Sequence, residues 1–345
     1  MIKGRGASWN PQNRFEKLEY VRDEEAPPEE NESRGTIYLR DPTRTIIATN
    51  DSPDVGFDAS INPYRGCEHG CIYCFARPTH EYLGFSAGLD FETKIMVKED
   101  APALLWEELN AKKWQPKVLA ISGVTDPYQP IERRLGLTRG CLAVLAEFRN
   151  PVAIITKNHL VTRDADLLAE LAAHDAARVF ISITTLDNNL QRTMEPRTST
   201  PELRLDAVKK LADAGVPVGV MVAPVVPAIT DHEMPQILAA ARDAGARWAG
   251  YVNLRLPWAV APLFEQWLEE QFPDRKEKVL NRVREMRDGK LYNAQWGTRG
   301  RGTGIFADQM EALFDVTCRR LGLNETDQEL SVAAFRRRTA QASLF

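Results

Sequence analysis

The chain lacks any apolar run long enough to cross a bilayer. Roughly 18 uninterrupted apolar residues are needed, and the most apolar stretch, 216–229, is broken by Pro217, Pro224 and Pro227. The opening residues, Met1-Ile2-Lys3-Gly4-Arg5, lead into no apolar core, so no secretory signal is read there. A cytoplasmic protein with no membrane partner is expected. Charge of one sign is also scarce. A net charge of −4 over 345 residues excludes a uniformly basic nucleic-acid coat, though not a local basic face. Internal repeats and low-complexity tracts are absent, and 43% hydrophobic residues exclude disorder throughout. Cysteine is sparse and odd in number: Cys67, Cys71, Cys74, Cys141 and Cys318. Such a set, clustered at one place, is no secreted disulfide framework. In a cytosolic chain it reads as a metal or redox site.

What is present divides into three parts. Residues 1–57 read as a peripheral, partly disordered N-terminal extension. Its segment Glu16–Gly35 holds eight acidic and three basic residues around Pro27-Pro28, a solvated composition, and Thr36–Ile47 reads as a short strand or hairpin at the edge of the fold. Residues 58–260 alternate β-branched runs with amphipathic segments. The expected strands are Ala59–Tyr64, Val118–Ser122, Val152–Thr156, Val179–Thr184, Pro217–Val222 and Trp248–Leu254, with Ile95–Val97 as an extra one. Asp100 and Asp164 are positioned to cap helices, Pro201 to open one that Gly215 stops, and Asp231 to open another ended near Gly245. This alternation predicts an α/β fold with a parallel sheet and right-handed crossovers. Residues 261–345 turn helical and basic, with nine Lys/Arg against three Asp/Glu in Arg275–Arg301.

Cys67-Glu-His-Gly-Cys71-Ile-Tyr-Cys74 has the spacing C-x3-C-x2-C. Soft thiolates select zinc, copper(I) or iron–sulfur clusters. A structural zinc site wants four ligands, and His69 lies awkwardly inside the first loop. Three thiolates suit a [4Fe–4S] cluster with one iron left open. Structural zinc and unligated buried cysteines stand as the alternatives. The position, directly after the first core strand, is the C-terminal mouth of a parallel sheet, where α/β barrels keep their chemistry.

The motif, with Tyr73 immediately before its third cysteine, resembles the radical S-adenosylmethionine (SAM) superfamily. The longer segment Asn62-Pro63-Tyr64-Arg65-Gly66-Cys67 through Cys74 is similar to the spore photoproduct lyase-like branch, whose members are often labelled DNA repair photolyases. The resemblance covers about residues 58–260 and implies a partial (β/α)6 TIM-like barrel. It also implies a [4Fe–4S] cluster on Cys67, Cys71 and Cys74, SAM as cofactor, a 5′-deoxyadenosyl radical that takes hydrogen from substrate, and a reductant such as flavodoxin or ferredoxin. By the same resemblance, Ser122-Gly123 lies beside the SAM amino group and Lys157 approaches its carboxylate. Ser182 offers a hydroxyl to the ribose, the Ala223 backbone touches adenine and Tyr73 flanks it. Spore photoproduct lyase uses a cysteine near the end of the second strand as hydrogen donor. Here Ile121–Asp126 contains none, and Cys141 reads as a buried packing residue. No catalytic residue beyond the cofactor sites is assigned.

Other candidates carry two readings each. Arg197 or Arg204, after Glu195-Pro196, either steadies an anion or forms a salt bridge at a helix start. Asp126 and Glu132 either hold substrate or order their loop, whose Asp-Pro and Gln-Pro steps suit a rigid turn. Arg275–Arg301, with Tyr292, Trp296 and the loop Thr298–Thr303, either grips a nucleic acid or caps the barrel as a solvated face. A radical SAM enzyme is expected, with a nucleic acid or nucleotide as the favoured substrate class and the substrate itself left open. Its rivals are a radical SAM enzyme acting on a protein or small molecule, and a non-catalytic nucleic-acid-binding protein with structural zinc.

Overall fold

The computed structural model describes residues 4–16, 35–326 and 329–337. Most of the acidic segment Glu16–Gly35 lies outside the described residues. In chain order the strands are β1 (Ile37–Arg40), β2 (Ile47–Thr49), β3 (Ala59–Ile61), β4 (Tyr64–Arg65), β5 (Lys94–Val97), β6 (Leu119–Ile121), β7 (Val152–Thr156), β8 (Ala177–Ser182), β9 (Val218–Val225) and β10 (Trp248–Asn253). β3, β6, β7, β8, β9 and β10 are neighbours in that order, each parallel to the next, and β2 joins the β3 edge antiparallel. Alanine, valine and isoleucine dominate because both faces of these strands are covered by helices or barrel interior. The helices Ala101–Asn110, Leu137–Phe148, Ala165–Ala172, Pro201–Asp213 and Met234–Asp243 cover the outside. Their apolar faces join the strands in one core that includes Leu105, Leu142, Leu168, Val208 and Ile237. Six parallel strands with these five helices on their outside thus form an open, partial barrel, with β10 and β2 as its edges.

Several expectations are corrected. Thr36–Ile47 holds the expected short strand, β1, and no hairpin: β1 pairs in parallel with β5 in a separate three-stranded sheet, while β2 joins the large sheet. The stretch Ala59–Tyr64 likewise splits at Asn62-Pro63 into β3 and β4, which belong to different sheets. Proline has no N–H to donate to a ladder. Neither Asp100 nor Asp164 makes a side-chain capping bond. Asp164 instead accepts from Arg139 and Arg163, because a buried carboxylate is better satisfied by two guanidiniums than by one amide. Thr200, one residue before Pro201, is the true cap of its helix, accepting from the Leu203 amide.

The N-terminal extension is not peripheral throughout. Ala7 is 0% exposed, and the Gly6 and Ala7 amides donate to the Glu92 carboxylate at 3.0 and 2.8 Å. The basic C-terminal region also packs inward. Helices Val260–Gln271 and Lys276–Glu285 share an apolar cluster with Cys71, Ile72 and Tyr73, and Trp267 Nε1 donates to the Thr193 carbonyl at 3.1 Å. Helix Ile305–Leu321 returns to the main core through Met310, Phe314 and Cys318.

Candidate functional site at the barrel mouth

Parallel strands all end on the same side, so the residues after β3, β6, β7, β8, β9 and β10 meet at one mouth. The cysteine loop follows β3 and β4. Its shape is set from below by Arg77, which is 0% exposed. Arg77 donates to the carbonyls of Gly70 and Cys71 at 3.1 and 3.0 Å, and to Glu92 at 2.5 Å. Gly70 turns the loop at φ +66, a conformation that favours glycine.

The three thiols lie within electrostatic reach of one another. Burial pushes Cys71 well above its ordinary pKa, with Glu195 adding to the effect and Lys157 opposing it. Burial also raises Cys74, with Cys67 adding and Arg77 opposing. Thiolates form in such surroundings when a metal takes the proton's place. Among the described residues no three or more His, Cys, Asp or Glu side chains close around a single-ion position. His69 supplies no fourth ligand. It is fully buried, with Nδ1 3.4 Å from Asp126 and Nε2 3.0 Å from Asn158 Nδ2. Burial alone would lower its pKa, but Asp126 and Cys67 outweigh this and push it up to about 10. Three thiols without a fourth protein ligand fit a cluster with one open iron.

Three of the expected SAM-site residues, Lys157, Ala223 and Tyr73, come together here. Lys157 ends β7 and its Nζ donates to the Ala223 carbonyl at 3.1 Å. The same ammonium sits 5.9 Å from the centre of the Tyr73 ring. The Tyr73 hydroxyl donates to Glu195, and Thr184 Oγ1 bonds both Glu195, at 2.8 Å, and the Ala223 carbonyl, at 3.1 Å. Ser182 ends β8, buried, with its carbonyl accepting from Arg204 at 3.0 Å. At the end of β6, Ser122 has φ +147 and Gly123 φ +126. Such a backbone at a non-glycine residue costs about 1–3 kcal/mol and clusters at functional sites. A Cβ on Gly123 would meet no heavy atom within 4 Å, so the backbone there is open to close approach.

Each of the candidates with two readings has partners within the protein. Arg204 is 1% exposed and paired with Glu195, and Arg197 pairs with Glu68 at 3.2 Å. Both are internal ion pairs. Burial alone would raise Glu195, but Arg204 and Lys157 hold it below the usual carboxylate range. Asp126 orders its loop, accepting from Thr156 at 2.7 Å and from the Lys157 amide at 2.8 Å. Glu132 does likewise with Tyr64 and Arg163, at 2.6 and 2.7 Å. Cys141 is fully buried in the main core. The loop Thr298–Thr303 does not present its guanidiniums outward: Arg299 pairs with Asp54, and Arg301 lies 3.7 Å from the Tyr251 ring centre.

Sequence reasoning passed over Glu195 as a hub, and with it Thr184, because threonine on a strand carries no distinguishing pattern. It also passed over Arg255, two residues beyond β10, whose guanidinium stacks 4.1 Å from the Phe75 ring centre. A charged residue ending an apolar strand is the signal that singled out Lys157, and it applies equally to Arg255. A cleft of about 460 Å³ between Leu190, Ile229, Glu233 and Phe272 opens elsewhere on the rim and holds none of the expected site residues.

An open α/β barrel with three coupled thiols at its mouth defines a class, enzymes that carry a metal cluster on a barrel rim. The model of the radical SAM superfamily matches residues 61–241, and the chain belongs to that superfamily. It is a radical SAM enzyme whose cofactors are a [4Fe–4S] cluster and SAM. Uncharacterized proteins of Mycobacterium tuberculosis and Mycobacterium bovis are 39% identical over 232 residues, 67% of this chain and 67% of theirs. One of Methanocaldococcus jannaschii is 29% identical, over 65% of this chain and 80% of its own. A spore photoproduct lyase variant with bound AdoMet and dinucleoside spore photoproduct shares the fold. Its TM-score is 0.58 at 18% identity, over 83% of this chain and 80% of that one.

Proposed function

We propose that Cys67, Cys71 and Cys74 hold the [4Fe–4S] cluster, and that Tyr73, Ser122, Gly123, Lys157, Ser182 and Ala223 place SAM beside it. When bound, these cofactors supply a 5′-deoxyadenosyl radical that takes a hydrogen atom from substrate. Lys157 donates its ammonium to an anionic group of the ligand, Tyr73 offers a ring face held by Glu195, and the Ser122-Gly123 backbone admits close approach. The convergence of Lys157, Ala223, Tyr73 and Cys71 on one spot carries this reading. Family membership sets aside the non-catalytic zinc protein. The electron comes from a one-electron donor of the flavodoxin or ferredoxin kind, in the cytoplasm. Nucleic acid is the proposed substrate class, supported by exposed Trp258 with Arg14 stacked 4.2 Å from its ring centre.

Anaerobic reconstitution tests the proposal. The protein should take up iron and sulfide and show a visible absorption that dithionite bleaches. It should then convert SAM to methionine and 5′-deoxyadenosine. Cys71→Ala should abolish both signals. A Cys71→Ala protein with full iron and undiminished 5′-deoxyadenosine would refute the ligand assignment.

A further inference from the structure

We infer that Arg255 anchors an oxyanionic group of the substrate, a phosphate or a carboxylate, at the rim beside Cys74. The inference rests on the reading that Cys67, Cys71 and Cys74 carry the cluster, since it is this that makes the adjoining surface the place where substrate must lie.

The argument begins with an unbalanced charge. Arg255 Nε is buried without a hydrogen-bond partner, and among the described residues no carboxylate reaches its guanidinium within ion-pair distance. Its guanidinium lies against the Phe75 ring, and Phe75, immediately after Cys74, is itself 48% exposed. The neighbours do not restore balance. Arg287 is fully buried and donates to the carbonyls of Asn253, Leu254 and Arg299 at 2.8–3.2 Å, not to a carboxylate. Arg299 already pairs with Asp54. Burial and then Arg299 lower the pKa of Arg255, and burial and then Arg255 bring Arg287 down to about 10. Three guanidiniums thus face one carboxylate.

A half-buried cation without a partner is costly to hold, and cations so placed are a mark of binding sites. Guanidinium is the side chain whose planar fork matches a carboxylate or phosphate edge. The neighbourhood is aromatic: Phe75 stacks on Arg255, and Tyr292, within electrostatic reach of Arg255, lies 5.3 Å, centre to centre, from exposed Trp258. A ligand with a flat ring next to its oxyanion would meet both features at once.

The test is calorimetric titration of the anaerobic holoenzyme with phenyl phosphate, benzoate and phenol, with iron and sulfide counted in each preparation. At least one anion should bind about tenfold or more tightly than phenol, and which one does so distinguishes phosphate from carboxylate. Arg255→Gln should remove that preference. If that variant fails to hold its cluster, Arg255→Lys keeps the charge but loses the fork, and the preference should still fall. Equal binding of phenol and both anions overturns the inference. So does an anion preference that survives substitution, or a substitution that moves only the cluster's reduction potential. A wild-type protein with iron and sulfide but no anion preference sinks this inference alone, whereas one that takes up neither sinks the reading beneath it.

Discussion

Glu195 shows how a single buried residue organises the mouth. It accepts from the Tyr73 hydroxyl, Thr184 and Arg204, so it fixes the ring proposed to flank SAM and balances a guanidinium at 1% exposure. Removing one partner of a buried pair leaves the other charge uncompensated. Glu195→Gln should therefore cost about 3–5 kcal/mol of stability, read as a lower midpoint in chemical denaturation. A midpoint unchanged from wild type would show that Arg204 finds another counter-charge. The residue was legible only as part of Glu195-Pro196-Arg197. Attention fell on the arginines because cations suit SAM's carboxylate, whereas which partner holds them is a matter of contacts far apart in sequence, such as Arg197 with Glu68.

Among elements, the segment of residues 4–16 departs most from its reading. It crosses the back of the cysteine loop, and its contact is close enough that a Cβ on Gly6 would lie 1.7 Å from the Gly70 carbonyl oxygen. Gly6→Ala therefore cannot keep this packing. The segment should lift, the Glu92 carboxylate should lose two amide donors, and the cysteine loop should loosen. The expected outcome is lower iron content after reconstitution and faster proteolysis near the N-terminus, with the barrel's far-UV spectrum retained. Full iron loading would show that the segment merely rests on the loop. Nothing in Gly4-Arg5-Gly6-Ala7 signals burial, because periodicity needs a longer run than four residues. The barrel strands, by contrast, were legible to within three residues at either end, since strands covered on both faces are unbroken apolar runs.

At the scale of the whole molecule, charge was the least reliable guide. The basic tally of residues 275–301 left a nucleic-acid grip and a barrel cap both open, and Arg287 is turned onto backbone carbonyls and Arg282 and Arg299 onto Asp231 and Asp54. If nucleic acid is the substrate, few phosphates can be neutralised, and aromatic contacts such as Trp258 must contribute most. Binding of a fluorescent single-stranded oligonucleotide should then fall with salt at a slope no steeper than about −2 in log–log form, at roughly −0.7 per phosphate. A much steeper slope would overturn the reading that aromatic contacts contribute most.

In the sequence, the C-x3-C-x2-C thiols marked a soft-metal site with zinc still open, and it was the resemblance to the radical SAM family that implied the [4Fe–4S] cluster and SAM, which the family match bears out. Sequence by itself determined the strand–helix alternation, because solvent exposure is written into each segment's periodicity. Tertiary structure alone decided which charges are free. Pairing is a long-range contact, and an arginine's composition is the same whether it faces a carboxylate or stands open. That is why Arg204, read in the sequence as either an anion clamp or a salt bridge, is seen paired with Glu195, and why Arg255, unremarked in the sequence, lies at the rim against the Phe75 ring.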